Sequence, residues 1–314
     1  MEPHLEQAQD VEVAPPLGPD DGLLSPAFAA RLGRLSVLSR RAAEARRRGR
    51  RKARRIGSGA EMIDTRPYAL GDDPRMIAWP AYARLERLVV RLVADEAPLR
   101  LALLVDTSAS MRFGAPSKLR QATRLAAGLA AVALTGEDRV AAVAGAAGVL
   151  SVLRGATGRG ATAKLLALLD GLVARGQTDL AGLATAATAA AGGRALCVIL
   201  SDLLDPAGAL AGARAARERG HEVALVEVLD PFEIEPPDLA GLDLEDDETG
   251  EIVTLPREGF LEAYREALAA HRKAVDEGAA ELAAPVVRVS TAEAFDDVIL
   301  AALRAGLLRG GYGR

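Results

Sequence analysis

The stretch "LLVDTSASM", Leu103 to Met111, decides how this chain is read. An apolar run ends abruptly in an aspartate, and two serines follow at intervals of two. Asp and Ser both bond locally to backbone, so a turn alone would accommodate them. The same residues at the end of a buried strand can also gather oxygen atoms at one point. The rest of the sequence separates these readings.

Outward from this stretch the texture is regular. "LRLALLVD" (99–106) reads as a buried strand and "SKLRQATRLAAGLAAVAL" (117–134) as a helix. "DRVAAVAGAAGVLSVL" (138–153) suits two short strands around a glycine turn. Two Ala-rich helices follow, then the buried strand "ALCVILSD" (195–202), a helix (206–219) and the strand "EVALVEVL" (222–229). A long helix (about 257–282), the strand "PVVRVS" (285–290) and a final helix (292–306) close the pattern. Continuous apolar strands alternating with helices predict an α/β fold with a doubly wound, mostly parallel sheet. "GLDLEDDETGEIVTL" (about 241–255) interrupts it as an exposed hairpin. Four parts result: a disordered acidic tail (1–25), a small N-terminal subdomain with helix and basic linker (26–98), the α/β domain (99–306) and a tail (307–314).

Aromatic residues make up only 3% of the 314, so Ala, Leu and Val must fill the core and helices must lie close to the sheet. The lone cysteine, Cys197, sits inside an apolar strand and reads as core; it excludes a disulfide framework and suits a reducing compartment. The three histidines lie far apart and offer no zinc spacing. The N-terminus lacks the basic and apolar regions of a signal peptide. No charge-free apolar stretch reaches the roughly 18 residues of a membrane span. A cytoplasmic location is expected.

In open parallel sheets, ligands bind beyond the carboxyl ends of the strands. Asp106 ends one strand, with Ser108 and Ser110 on the loop beyond; Ser201-Asp202 end another, and Thr178 lies on a loop before a helix. Asp106, Ser108, Ser110, Thr178 and Asp202 are all hard oxygen donors, which suits Mg²⁺ or Mn²⁺. An enzyme of the haloacid-dehalogenase type would need a second aspartate where Ser108 stands, to act as general acid. "GATGRGATAK" (155–164) imitates a phosphate loop but lacks its G-K-[ST] ending. No histidine lies near either serine in sequence, so a hydrolase triad is not expected. No catalytic residue is expected, and the chain is not read as an enzyme.

Asp-x-Ser-x-Ser after a buried strand, a Thr in "G-x-T-D-L" and "L-S-D" after a later strand together resemble a von Willebrand factor A domain. The resemblance implies that Asp106, Ser108, Ser110, Thr178 and Asp202 form a metal-ion-dependent adhesion site holding Mg (or Mn). Upstream, residues 57–96 resemble the family catalogued as domain of unknown function 58, whose pattern is roughly G-x-E-F, R-x-Y-x-x-G-D-x-x-R-x-I-D-W, then A-R. Glu61, Arg66, Tyr68, Gly71, Asp72, Arg75, Ile77, Trp79, Ala83 and Arg84 match; Met62 and Ala78 depart from the usual Phe and Asp. With "DDETGE" the resemblance covers about residues 50–305. It implies a protein partner, a MoxR-type AAA+ ATPase or its client, supplying a carboxylate to the metal of an adaptor.

Two further expectations concern the N-terminal part. Residues 40–55 hold ten Arg or Lys and one Glu. Arg46, Arg47, Arg48 and Arg50 are therefore candidate contacts to anionic surfaces, whether nucleic acid, which is disfavoured, or peripheral membrane headgroups. Tyr68, Trp79 and Tyr82 are expected to anchor the small subdomain on the α/β domain. The alternatives to the adaptor are a metal-dependent hydrolase or phosphotransferase at the same site, and an anionic-surface binder through the basic segment.

Overall fold

The structure, a computed structural model, describes residues 22–37, 65–91, 99–239, 241–304 and 307. Two compact units divide the chain: residues 1–39 with 99–314, and residues 40–98. A helix, α1 (26–37), opens the larger unit. It was expected to belong with the upstream segment, but its buried Phe28, Leu32 and Leu35 join the core of the sheet domain. Phe28 packs its ring 5.1 Å from that of Phe295, and Arg31 pairs with Asp296.

The smaller unit pairs β1 (Thr65–Pro67) antiparallel with β2 (Val89–Arg91), and α2 (Trp79–Leu85) lies between them in sequence. Its motif residues explain one another. Gly71 turns the chain with φ +107°, letting Asp72 return to receive a two-pronged bond from Arg66 at 2.5 and 2.7 Å. That bond, more than any other cause, holds the Asp72 carboxyl down at about 2. Ala78 occupies the N-cap of α2 and offers no side-chain acceptor; an aspartate there would.

The larger unit is built on a six-stranded sheet. Its strands are β3 (Arg100–Asp106), β4 (Arg139–Ala146), β5 (Gly148–Ala156), β6 (Leu196–Ser201), β7 (Glu222–Leu229) and β10 (Val286–Ser290), ordered β10-β7-β6-β3-β4-β5. All neighbours are parallel except β4 and β5. Side chains alternate along β3 as a pleated strand requires. Leu101, Leu103 and Val105 face the core shared with α1, α3 (Lys118–Thr135), α4 (Arg159–Asp170) and α9 (Phe295–Arg304). Ala102 and Leu104 face α5 (Leu180–Ala191), α6 (Pro206–Glu218) and α8 (Phe260–Glu281). Each such leucine contributes about 1.5–3 kcal/mol by leaving water. The alanines of β4 and α5 leave room for close helix–sheet approach, which is how a core so poor in aromatics is filled.

Between β7 and α8 lie the one-turn helix α7 (Pro231–Ile234) and the hairpin β8 (Asp243–Glu245) and β9 (Ile252–Thr254). The strands and helices expected from residue 99 onward are present. The short α7 was not foreseen. The reading of Cys197 as core also holds. Cys197 is fully buried, and burial pushes its thiol up to about 12. His221 accepts a hydrogen bond from the Ala195 amide. No helix among the described residues is long and apolar enough to cross a membrane.

Candidate functional site

The chain runs from β3 outward to β4 and β5 on one side, then returns to β6 and proceeds to β7 and β10 on the other. The gap between the carboxyl ends of β3 and β6 is therefore the topological switch point, where loops diverge and leave a crevice. Asp106 ends β3 and Ser201 ends β6, with Asp202 next. Register pairs Val105 with Leu200, so the two polar ends meet side by side.

Asp106 is wholly buried. One of its carboxylate oxygens accepts the Ser108 amide at 2.9 Å, and the other accepts the Ser201 hydroxyl at 2.6 Å. Burial, reinforced by the charge of nearby Asp202, raises its carboxyl to about 6. Beyond it, the Ser108 and Ser110 hydroxyl oxygens lie 3.1 Å apart. Three backbone bonds hold this loop: the Thr107 amide to the Gly145 carbonyl at 2.8 Å, the Ala109 amide to the Gly176 carbonyl at 2.8 Å and the Arg175 amide to the Thr107 carbonyl at 2.7 Å. Both glycines are required by geometry. A Cβ on Gly145 would stand 2.2 Å from the Gly148 carbonyl oxygen, and Gly176 has φ +82°.

Thr178 follows two residues after that turn, and Asp179 caps α5 by accepting the Gly182 amide. The helix start therefore fixes the threonine. Thr178 does not bond to the serines. Its amide and hydroxyl donate to the two carboxylate oxygens of Glu248 on the hairpin, at 3.2 and 3.1 Å. Asp205, a second acidic residue after β6, caps α6 and is not part of the cluster.

Lys118 was not foreseen, because a lysine at a helix start reads as solvated surface. It is the first residue of α3, whose start is capped by Ser117 at the carboxyl end of the sheet. Its fully buried ammonium donates to Asp202 at 2.8 Å and to Glu233 at 2.6 Å. Burial alone would lower its pKa, but the two carboxylates outweigh that and raise it. Glu233 also closes a capping box with Asp230 on α7. The signal was present in "DPFE": an acidic N-cap, proline at the first position and glutamate at the third. The Phe113 and Phe232 rings meet at a tilt, 5.7 Å apart, and with Leu204 they remain exposed beside these polar groups.

Among the described residues no group of three or more His, Cys, Asp or Glu could hold a metal. The cluster is of another kind, two carboxylates with hydroxyls. Its chemistry fits a hard divalent cation in one respect above all. Asp202 has Lys118 as counter-ion, whereas Asp106 is buried among neutral donors only. A cation at the Asp106–Ser108–Ser110 edge would reverse the cost of that buried charge.

The other candidates stand apart from this cluster. Arg46, Arg47, Arg48 and Arg50 lie outside the described residues. Trp79 and Tyr82 are 58% and 42% exposed, with rings in edge-to-face contact, and Tyr68 is half-buried. Ile77, Ala78 and Val90 are buried within that segment.

A mostly parallel α/β sheet carrying an oxygen-rich cluster at its switch point defines the class of this chain. The sequence model of the family described as "Protein of unknown function DUF58" matches residues 64–274, and the chain belongs to that family. The uncharacterized protein Rv1480 of Mycobacterium tuberculosis is 31% identical over 241 residues, 75% of this chain and 76% of that protein. The uncharacterized protein MAV169 of Mycobacterium avium is 38% identical over 105 residues, 31% of this chain and 58% of that protein. Among solved structures, the conserved hypothetical protein BatB from Bacteroides thetaiotaomicron aligns with a TM-score of 0.42 at 18% identity, over 66% of this chain and 98% of that one.

Proposed function

We propose that the chain is a protein-binding adaptor whose strand-end cluster is a metal-ion-dependent adhesion site of the von Willebrand factor A type, recognising a carboxylate. The observation that carries this reading is the meeting of Asp106 and Asp202 at the switch point, with the Ser108 and Ser110 hydroxyls 3.1 Å apart beside them. Asp106, Ser108, Ser110, Thr178 and Asp202 would hold Mg²⁺ (or Mn²⁺), some directly and some through water. When bound, the ion supplies an electrophilic position for a partner's carboxylate oxygen. The chain's own residues do the rest. Asp106 brings the charge, its orientation fixed by Ser108 and Ser201. Lys118 neutralises Asp202, so the donor set stays weakly charged. The exposed Phe113, Phe232 and Leu204 offer apolar contact around the polar floor. No catalytic residue is proposed.

The family resemblance makes a cytoplasmic MoxR-type AAA+ ATPase, or its client, the partner to test first. Pull-down with the intact chain in Mg²⁺ and in excess chelator tests the reading. Retention in Mg²⁺, lost in chelator and with Asp106→Ala, is expected. Equal retention under all three conditions contradicts it.

A further inference from the structure

The acidic hairpin is tied to both ends of the candidate site. At its tip, Glu248 places one carboxylate oxygen against the Thr178 amide and the other against the Thr178 hydroxyl, at 3.2 and 3.1 Å. The adjacent Asp247 accepts from Arg112 at 2.5 Å, two residues beyond Ser110. Glu248 is also the one half-buried residue between 242 and 250, the others being exposed.

The turn is organised to present these two carboxylates. The Asp246 carboxylate accepts the amides of Glu248 and Thr249 and the Thr249 hydroxyl. The Asp246 carbonyl accepts the Gly250 amide at 2.8 Å. Behind the tip the hairpin has little to hold it down. Its strands are three residues long, and Leu244, Ile252 and Val253 remain 42%, 65% and 52% exposed. A two-stranded ribbon of that size is marginal alone. The Arg112–Asp247 pair is exposed on both sides and contributes little. The charge-assisted bonds to Thr178 are the stronger tie, yet half-buried and reversible.

We infer that Asp247–Glu248 is a built-in pseudo-ligand: it fills the place of an acidic partner segment and must lift away before that segment binds. This rests on reading the strand-end cluster as a carboxylate-recognition site. The structure then describes the partner's chemistry. It is an acidic peptide segment with two neighbouring carboxylates, one reaching Thr178 and the other Arg112, on a tight turn. The chain's apparent affinity for it is lowered by the small fraction of molecules with the hairpin lifted.

The probe is a fluorescein-labelled synthetic peptide of residues 241–255, followed by anisotropy in Mg²⁺ with the full-length chain. The double variant Asp247→Ala, Glu248→Ala alters only exposed or half-buried tip residues. It should bind the peptide at least about ten-fold more tightly than the unaltered chain, as removal of a competing state allows. Equal affinity for the two proteins, or no binding to the variant, overturns the inference. A second readout needs no peptide: amide exchange at Thr178 should quicken about ten-fold in Glu248→Ala, and unchanged protection is contrary. The two readings separate cleanly. Discrimination that persists in excess chelator keeps the pseudo-ligand and removes the metal. Mg²⁺ binding by calorimetry without discrimination keeps the metal and removes the pseudo-ligand.

Discussion

The ammonium of Lys118 lies 2.8 Å from a carboxylate oxygen of Asp202, and neither side chain is more than 2% exposed. The helix α3 begins at the carboxyl end of β3, so its first residue points across the crevice to the end of β6 and on to Glu233. One cation of the chain thereby joins three separate elements around the candidate site.

Removing that cation leaves Asp202 buried and unpaired. Lys118→Met is therefore expected to destabilise the chain by about 3–5 kcal/mol, the usual cost of breaking a buried pair from one side. Urea unfolding measures it, and Asp202→Asn in the same background should recover a large part. A loss below about 1 kcal/mol would show the pair to be solvated in solution.

The Asp106 carboxyl ionises at about 6 in the folded chain against an ordinary 3.8. Between those values the folded state binds more protons than the unfolded one, so stability falls as pH rises. The whole cost, about 3 kcal/mol, is present at neutral pH and absent well below the ordinary value. Asp106→Asn removes the charge and keeps an acceptor for the Ser108 amide, while its NH2 group meets the Ser201 hydroxyl as a donor where the carboxylate oxygen accepted. In chelator it should exceed the parent in stability by about 1–3 kcal/mol at neutral pH, with the gap closing toward pH 4. A gap that does not vary with pH counts against a buried, uncompensated carboxylate.

Ala78 leaves the N-cap of α2 without a side-chain acceptor. Ala78→Asp should stabilise that helix by about 1 kcal/mol. Hydrogen exchange at the Ala81 amide, the third helical position, reports it directly. Faster exchange in the variant would mean that the buried position of Ala78 does not admit the carboxylate.

Charge reversal at Arg46, Arg47, Arg48 and Arg50 is expected to leave unfolding of the sheet domain unchanged, since these residues precede its first strand. It should weaken binding to phosphatidylserine-containing vesicles and reduce the salt dependence of that binding. Vesicle binding identical to the parent's would leave the run as solvated surface.

Much of this architecture was legible because buried parallel strands read as unbroken apolar runs. "LRLALLVD" and "ALCVIL" announce themselves, and the polar residues that end them mark the crevice. The glycines of "AGAAG" and "RGQTDL" marked turns but not the contacts they allow. Lys118 was illegible because its partners lie 84 and 115 residues away. Nothing local distinguishes it from a solvated lysine. Glu248 was hidden among Asp246 and Asp247, and only tertiary packing selects it for Thr178. Within the upstream segment Trp79 and Tyr82 meet edge to face, while Ile77 and Ala78 take buried positions, a division that composition alone does not mark.

The central claim, that Asp106 and its neighbours form a divalent-cation site for carboxylate recognition, is tested most directly by calorimetric titration of Mg²⁺ into the chain and into Asp106→Ala. The account predicts saturable one-site binding by the parent, raising its unfolding midpoint as a native-state ligand does. It predicts no binding by the variant, which still unfolds cooperatively. No heat with the parent, or the same isotherm with both proteins, would contradict it.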